Sequence, residues 1–392
     1  MSFPDTEVFT RLVSRVFRID DVTSEDPTKG FFLRYRGELF SEDSAEAYDQ
    51  LAESLSQYNV TPLFRNEDGR HVIYLMPKQP EPPKEKVSTN IILFVLTIFS
   101  VMLAGINPEG PVPEDPSALF PFLLKNIFTG VPFALSLLGI LLAHELGHYF
   151  MSRYHKTPAT LPYFIPVPPP FILGTLGAAI LMRGVPKNKR ILFDIGIAGP
   201  IAGLVVAIPV LFLGLSLSKL SVLEPNPNGF MEGNSLLYLF AKYITFGQLL
   251  PAPVEPQGFL YWVRYIVMGG PIPFGGVDVL IHPVAFAGWA GILVTALNLI
   301  PAGTLDGGHV IYALFGERAR KAFPFIIGLL IVLGFFWNGW WLWAVLLFWL
   351  GRVNAQPLDQ ITTLDPTRRL VAYSMVVVFL LVFTPVPFML MV

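Results

Sequence analysis

Two histidines and one glutamate lie close together in an apolar stretch of this 392-residue chain. They are His144, Glu145 and His148 of the sequence HELGH, and ionisable side chains inside a membrane span commonly mark a functional site. Positions i and i+4 of a helix project from one face, so both imidazoles can reach one Zn²⁺ at about 2.0–2.1 Å. The glutamate between them can take a proton from the water that such an ion activates. The competing interpretation is a chance pattern, in which backbone carbonyls satisfy both histidines.

A hydrolytic zinc site needs a third protein ligand and one open position. The extended motif H-E-x-x-H-x-x-G-x-x-H does not apply, because Met151 and Tyr154 occupy its glycine and histidine positions. The next carboxylate is Asp194, at the start of another apolar stretch, where a helix N-terminus favours a negative charge. We expect the third ligand to be Asp306, in NLIPAGTLDGGHV (298–310), and its competing role is to cap the helix that follows.

The composition predicts an α-helical polytopic membrane protein. Hydrophobic residues make up 53% and charged residues 14% of the chain, whereas soluble domains average about 25% charged residues. The absence of cysteine excludes disulfides and cysteine-ligated metals, and a net charge of −2 gives no indication of nucleic-acid binding. A bilayer needs about 20 apolar helical residues per span, and we predict about six to eight spans. The candidates are 90–107, 131–153, 192–218, 283–302, 322–336, 338–351 and 370–391.

The first 80 residues have the mixed pattern of a small soluble α+β domain. Helical periodicity predicts helices at 5–16 and 41–57, and apolar residues favoured in strands predict strands at 30–40 and on both sides of the turn NEDG. A proline-rich charged linker, QPEPPKEK (79–86), follows this domain.

The basic residues predict the orientation in the membrane. Clusters at 84–86, 153–156, 187–190 and 318–321 all fall inside if the first span runs from inside to outside. The N-terminal domain is then cytoplasmic, and HELGH and Asp306 both lie near the cytoplasmic leaflet, where they can meet. The N-terminus has no features of a secretory signal or an organelle transit peptide, which favours a bacterial plasma membrane.

HELGH, NLIPAGTLDGG and the stretch GTLGAAILMRGVPKNKRILFDIGIAGPIAG (174–203) together resemble the site-2 protease family of intramembrane zinc metalloproteases, peptidase family M50. The last stretch is similar to the bacterial branch that is related to the EGY-type proteases. The resemblance covers 131–316 and implies a catalytic core of three helices there. It leaves 1–80 as a cytoplasmic domain, 81–130 as a linker with the first transmembrane helix, and 317–392 as C-terminal transmembrane helices.

The resemblance implies a role for each residue that matches the family's motifs. His144, His148 and Asp306 would ligate Zn²⁺, and Glu145 would be the general base. Asn298 would lie near the scissile carbonyl and help to hold the substrate or the oxyanion.

The proline- and glycine-rich segment 161–180 is a candidate substrate-binding loop. An extended edge in this segment could add a substrate strand through backbone hydrogen bonds, and Gly174 and Gly177 are its candidate substrate-binding residues. The alternative is an interfacial loop that does not contact the substrate.

The resulting prediction is an intramembrane zinc endopeptidase that cleaves transmembrane segments of membrane proteins. An anti-sigma factor is a typical substrate of the bacterial proteins that the chain resembles. Two other functions stay open, namely a divalent-metal transporter and a catalytically silent membrane scaffold. A transporter needs further polar residues on the far side of the site, and VPFALSLLGILLA (131–143) offers little beyond Ser136.

Overall fold

The computed structural model describes residues 6–26, 30–78, 80, 86–108, 113, 115–350 and 356–391. Its N-terminal part is a four-stranded antiparallel sheet with two helices on one face, which confirms the predicted small α+β domain. The elements are α1 (Thr6–Val13), β1 (Phe17–Asp26), β2 (Phe31–Leu39), α2 (Ser44–Ser56), β3 (Val60–Glu67) and β4 (Arg70–Pro77). The strand order is β1-β2-β4-β3, and the core between sheet and helices includes Phe9, Tyr35 and Leu51. The predicted linker 79–86 lies outside the described residues, apart from Pro80 and Lys86.

Strand β1 was not predicted from the sequence. Its sequence, FRIDDVTSED, is mostly polar, and Phe17 is its one buried residue among 17–24. Without an alternation of buried and exposed residues there is no strand signal to detect. The strand forms because its backbone pairs with β2, with a register shift between Ile19 and Asp21.

The rest of the chain is mostly helical and contains the apolar segments. Its elements are α3 (Val87–Ala104), α4 (Pro116–Asn126), α5 (Val131–Tyr154), β5 (Tyr163–Pro166), β6 (Thr175–Ala179), α6 (Lys189–Ser216), β7 (Lys219–Val222), β8 (Asn226–Glu232), α7 (Leu236–Phe246), α8 (Phe259–Met268), β9 (Val277–Leu280), α9 (Pro283–Asn298), α10 (Asp306–Phe315), α11 (Phe323–Leu333), α12 (Gly339–Leu350), α13 (Pro366–Val382) and β10 (Phe388–Met391). Short 3₁₀ helices at Ile127–Gly130 and Gly316–Ala322 join their neighbours.

Three helical stretches in the described residues are long and apolar enough to cross a membrane, namely Val87–Ala104, Ser117–Tyr154 and Lys189–Ser216. Four shorter apolar helices are Leu236–Phe246, Phe259–Met268, Pro283–Asn298 and Gly339–Trp349. The predicted membrane class is therefore confirmed, whereas the total of six to eight spans stays a prediction.

The last predicted span, 370–391, is not one helix. Helix α13 ends at Val382, and β10 then pairs antiparallel with β8. The physical reason is the sequence Pro385-Val386-Pro387, because proline lacks the N–H that continues a helix and clashes with the preceding turn.

Helices α5, α6 and α9 pack together and form the centre of the apolar part, around Leu137, Leu211 and Trp289. Small residues allow the close approach of two of them. A Cβ added to Gly147 of α5 would lie 2.5 Å from the carbonyl oxygen of Ala198 in α6. Close packing of this kind at small residues is typical of membrane helices, and here it brings the backbone of α6 against the HELGH face of α5.

Candidate metal centre

The two histidines of HELGH and Asp306 meet in space. His144 and His148 lie one turn apart on α5, and their Nε2 atoms are 3.2 Å apart. Asp306 begins α10, with Oδ2 at 3.3 Å from His144 Nε2 and Oδ1 at 3.3 Å from His148 Nε2. All three side chains are largely shielded from solvent. Within the described residues, this is the group of three or more such side chains whose ligand atoms lie close enough to hold one metal ion.

The geometry fits a zinc ion. Two ligand atoms at about 2.0–2.1 Å from a tetrahedral ion are about 3.3–3.4 Å apart. The two imidazole Nε2 atoms are 3.2 Å apart, and each lies 3.3 Å from a different oxygen of the Asp306 carboxylate, so the three groups are close enough to ligate one ion. Two imidazoles and one carboxylate are also a common donor set for a zinc ion that keeps an open position. The competing capping role of Asp306 is not seen, because Leu305 is the N-cap residue and no side chain caps this helix.

The ring of His148 is oriented by α6. Its Nδ1 lies 2.7 Å from the carbonyl oxygen of Ile195. A carbonyl oxygen can only accept a hydrogen bond, so Nδ1 carries the proton and Nε2 of the neutral ring offers its lone pair to the site. Such partners fix both the tautomer and the direction of a ligating histidine.

Two glycines of α6 make room for the histidine rings. A Cβ added to Gly199 would lie 2.1 Å from His148 Nε2, and one added to Gly203 would lie 3.1 Å from His144 Nδ1. The sequence interpretation did not identify this role. The available signal was the i, i+4 spacing of these glycines in DIGIAGPIAG, which places both on one helix face.

We predict that Gly199→Ala abolishes high-affinity metal binding. The new Cβ would overlap the proposed ligand atom of His148, and the ring would have to leave its position. The matched control is Gly139→Ala in α5, where an added Cβ meets no atom within 4 Å. The measurement is zinc stoichiometry and affinity of both purified variants. Equal affinities would show that the close approach of α6 does not matter for the centre.

Glu145 and Asn298 complete the polar wall of the site. Glu145 is 6% exposed and is hydrogen-bonded to the backbone of Ile180. Asn298 is the last residue of α9, and its Nδ2 lies 3.2 Å from His144 Nε2. The structure therefore brings five of the seven residues singled out from the sequence to one place.

A cavity of about 460 Å³ opens beside these residues. Its wall includes the three possible ligands, Glu145, Asn298, His309 and the segment 178–182 that ends β6 and follows it. Gly174 and Gly177 are not among its lining residues. Gly174 instead packs against α3, since an added Cβ would lie 2.6 Å from the carbonyl oxygen of Ser100.

Asp194 lies outside the group of possible ligands. It accepts two hydrogen bonds of 2.7 Å from the Arg368 guanidinium, and His155 Nε2 lies 2.9 Å from its carboxylate. Asp194 therefore links α6 to α13 and to His155, the residue that follows α5. It directly precedes Ile195, whose carbonyl orients the His148 ring. Hydrogen bonds from the backbone and the side chain of Arg368 also lower the pKa of Asp365 to about 2.

Comparison with known proteins gives related sequences. A chloroplastic protein of Oryza sativa subsp. japonica, named probable zinc metalloprotease EGY1, is 31% identical over 318 residues, which are 76% of this chain and 50% of that protein. Probable zinc metalloprotease EGY2, chloroplastic, of Oryza sativa subsp. indica is 27% identical over 395 residues, which are 96% of this chain and 66% of that protein. The chain thus spans about half to two thirds of the length of these relatives. No solved structure matches it.

The sequence profile of peptidase family M50 matches residues 132–336. This region contains α6, α9, α10 and all of α5 except its first residue, and so all the residues of the candidate centre. The family resemblance seen in the motifs is confirmed. Because the match extends over more than half of its 392 residues, the chain belongs to peptidase family M50.

Proposed function

We propose that the protein is an intramembrane zinc endopeptidase that hydrolyses peptide bonds of membrane proteins. The observation that carries this proposal is the triangle of His144, His148 and Asp306, with Glu145 beside it at the wall of one cavity. The names of the relatives support zinc as the metal and proteolysis as the activity. The direct test is metal analysis of the purified protein together with cleavage of a transmembrane test substrate in proteoliposomes.

The side chains divide the chemistry of hydrolysis among them. Bound zinc would supply a Lewis acid that polarises the peptide carbonyl and lowers the pKa of water. Glu145 accepts the proton of the attacking water and passes it to the leaving amine, which is general base and then general acid catalysis. The Asn298 amide donates a hydrogen bond to the oxygen on which negative charge develops. Among the polar side chains that line the cavity, these roles leave His309 and Thr304 without a proposed function.

We predict that Asn298→Ala keeps zinc and lowers kcat. Losing one donor to a developing oxyanion typically costs about 10²–10³-fold in kcat, and His144, next to the amide, remains able to ligate. The measurement is kcat and KM with zinc stoichiometry on the same preparation. Loss of zinc in this variant would instead make Asn298 a structural partner of His144.

The segment 178–182 is the proposed substrate-binding edge. It ends the two-stranded sheet of β5 and β6 and lines the cavity. A helical peptide bond is shielded by its own hydrogen bonds, so a transmembrane substrate must unwind before it is cut. An exposed strand edge stabilises the unwound peptide by backbone hydrogen bonds. Gly177, with a φ of 99°, immediately precedes this segment and stays a proposed substrate-binding residue, as does Gly174.

A metal transporter is a less well supported alternative. Transport needs a polar path on the other side of the site, whereas the α5 residues one and two turns before His144 include the buried Leu137, Ile140 and Leu141. An assay in proteoliposomes distinguishes the two functions. A transporter takes up zinc without cutting the test substrate, and a protease cuts it without uptake. A catalytically silent scaffold would do neither.

We further propose that the N-terminal domain lies on the same side of the membrane as the metal centre. Contacts of that domain with Lys187 and Arg190, immediately before and in the first turn of α6, support this arrangement. A bacterial plasma membrane and an anti-sigma factor as substrate stay predictions. The names of the relatives place those proteins in chloroplasts, so a reporter fused to the N-terminus, expressed in the native host, is the test of location.

A further inference from the structure

The N-terminal domain is docked onto the apolar part through an added strand. Residues 357–361, between α12 and α13, run beside the outer edge of β3. The Phe64 N–H donates to the Leu358 carbonyl at 2.9 Å, and the Gln360 N–H donates to the Phe64 carbonyl at 3.0 Å. Leu358 and Ile361 also pack against the core of the domain. This edge of the sheet is therefore occupied by a short strand-like segment of the same chain, which forms one isolated parallel β-bridge between Phe64 and Asp359.

The same strand is bonded on its other side to the segment that begins α6. The Leu358 N–H donates to the Pro186 carbonyl at 3.0 Å, and the Asp359 N–H donates to the Lys187 carbonyl at 2.7 Å. The next residue, Asn188, caps α6 by accepting from the Ile191 N–H. The strand thus joins the sheet of the N-terminal domain to the first turn of α6.

Asp359 is the centre of this junction and is fully buried. Its carboxylate accepts from the Ser44 hydroxyl at 2.7 Å, from the Ile361 N–H at 2.8 Å and from the Thr362 N–H at 3.2 Å, and the Thr362 hydroxyl also donates to it. A buried carboxylate is costly unless it is fully hydrogen-bonded. Here α2 of the domain supplies one donor and the turn after the strand supplies the other three, so undocking removes the Ser44 hydrogen bond and exposes the carboxylate to water.

Two ion pairs add a direct connection between the domain and α6. Lys187 Nζ lies 2.7 Å from Asp49, and Arg190 Nη1 lies 2.8 Å from Asp43. Arg190 also donates to the Thr363 carbonyl at 3.0 Å. The hydrogen bond from Arg190 lowers the pKa of Asp43 below its usual value. The Lys187 pair is half-exposed and weak by itself, so the strand and Asp359 provide most of the docking.

The helix that starts at this junction also carries the groups that fix His148. Ile195, whose carbonyl orients the His148 ring, is five residues after Arg190, or about 7.5 Å along a helix. Gly199, which makes room for His148 Nε2, is one turn further on. A hydrogen-bonded helix moves as a unit over this length, so a shift of its first turn displaces the support of the ligand.

We propose that the docked N-terminal domain acts as a clamp that holds α6 where Ile195 and Gly199 keep His148 ready to bind metal, with Asp359 as its positioning residue. Release of the domain weakens metal binding and slows cleavage. The inference rests on the proposed zinc peptidase function and adds its regulation. A partner that occupied the outer edge of β3 in place of residues 357–361 would lower the zinc affinity and the rate of cleavage.

The test compares Asp359→Ala with Asp359→Asn in the full-length protein. Alanine removes the acceptor, whereas asparagine keeps one acceptor oxygen and can donate to the hydroxyl groups. We expect faster amide hydrogen exchange in 186–196 and about tenfold weaker zinc affinity for alanine, as for loss of a group that supports a ligating histidine. For asparagine we expect values within about twofold of the wild type, and cleavage should follow the zinc affinity in both variants.

A charge series gives the same answer if Asp359→Ala does not fold. Asp49→Lys replaces an attraction to Lys187 by a repulsion, so it should speed exchange in 186–196 and weaken zinc binding in the same direction as Asp359→Ala but by less. The swapped double variant Asp49→Lys with Lys187→Asp should restore both. The control is Glu38→Lys, which breaks the similarly exposed Arg18–Glu38 pair at 2.9 Å in the same domain.

Each outcome decides between the clamp and the proposed function. If exchange in 186–196 rises while zinc affinity stays at the wild-type value, or if neither changes, the clamp is wrong. If the wild-type protein itself binds no zinc, the proposed function fails first, and the two failures are thereby distinguished.

Discussion

Replacing Glu145 by glutamine is expected to leave zinc bound and to lower kcat for a transmembrane test substrate by at least about 10³-fold, within the range for loss of a general base. Glutamine has nearly the size of glutamate but cannot accept the proton of water. The proposed ligands are His144, His148 and Asp306, so the metal should stay. Single-turnover cleavage and zinc stoichiometry should be measured on the same preparation.

The control for this variant is Glu317→Gln, which removes a half-exposed carboxylate outside the cavity. It should cleave at the wild-type rate. If Glu145→Gln cleaves at the wild-type rate, Glu145 is not the general base. A zinc-free Glu145→Gln variant would instead show that the glutamate belongs to the metal site as a ligand.

Replacing Asp306 by alanine is expected to weaken zinc binding by more than about 100-fold, since loss of a direct ligand should exceed the 10–100-fold effect of an outer partner. The two imidazoles would remain on α5 without an anionic ligand to complete the set. Cleavage should fall to the level of the metal-free protein. Competition with a chelator of known affinity measures the first effect, and the proteoliposome assay measures the second.

The variant Asp306→Ser distinguishes two roles of Asp306, that of a metal ligand and that of a residue that stabilises the start of α10. Serine keeps a small polar side chain at the first residue of α10, beside the N-cap position where it is favoured, but it is a poor substitute for a zinc-binding carboxylate. If Asp306 serves mainly to begin α10, this variant should bind zinc and cleave almost normally. If it is a ligand, as the separations of 3.3 Å from both histidines support, serine should be nearly as damaging as alanine. Similar stability of the serine and wild-type proteins would exclude a folding defect as the cause.

Local periodicity made several features readable from the sequence. The i, i+4 spacing of His144 and His148 places both rings on one face of any helix, so two of the three proposed ligands could be placed together before the fold was known. Apolar composition likewise determined the membrane class, because long apolar helices are stable only where lipid or protein covers them. Two elements were not predicted correctly, namely strand β1 and the end of the last helix before β10. In both places a polar or proline-containing sequence forms a strand because it pairs with a partner strand, β2 or β8.

Other features were decided by tertiary structure alone. Asp306 was a candidate by elimination, and only the packing of α5, α6 and α9 brings its carboxylate to the histidines. The carbonyl of Ile195 that orients His148, and the strand around Asp359 that docks the N-terminal domain, had no local signal, and the spacing of Gly199 and Gly203 did not show which side chain they face. Each depends on the close approach of backbones that are far apart in the chain. No short stretch of sequence specifies such an approach, because it results from the packing of all the helices together.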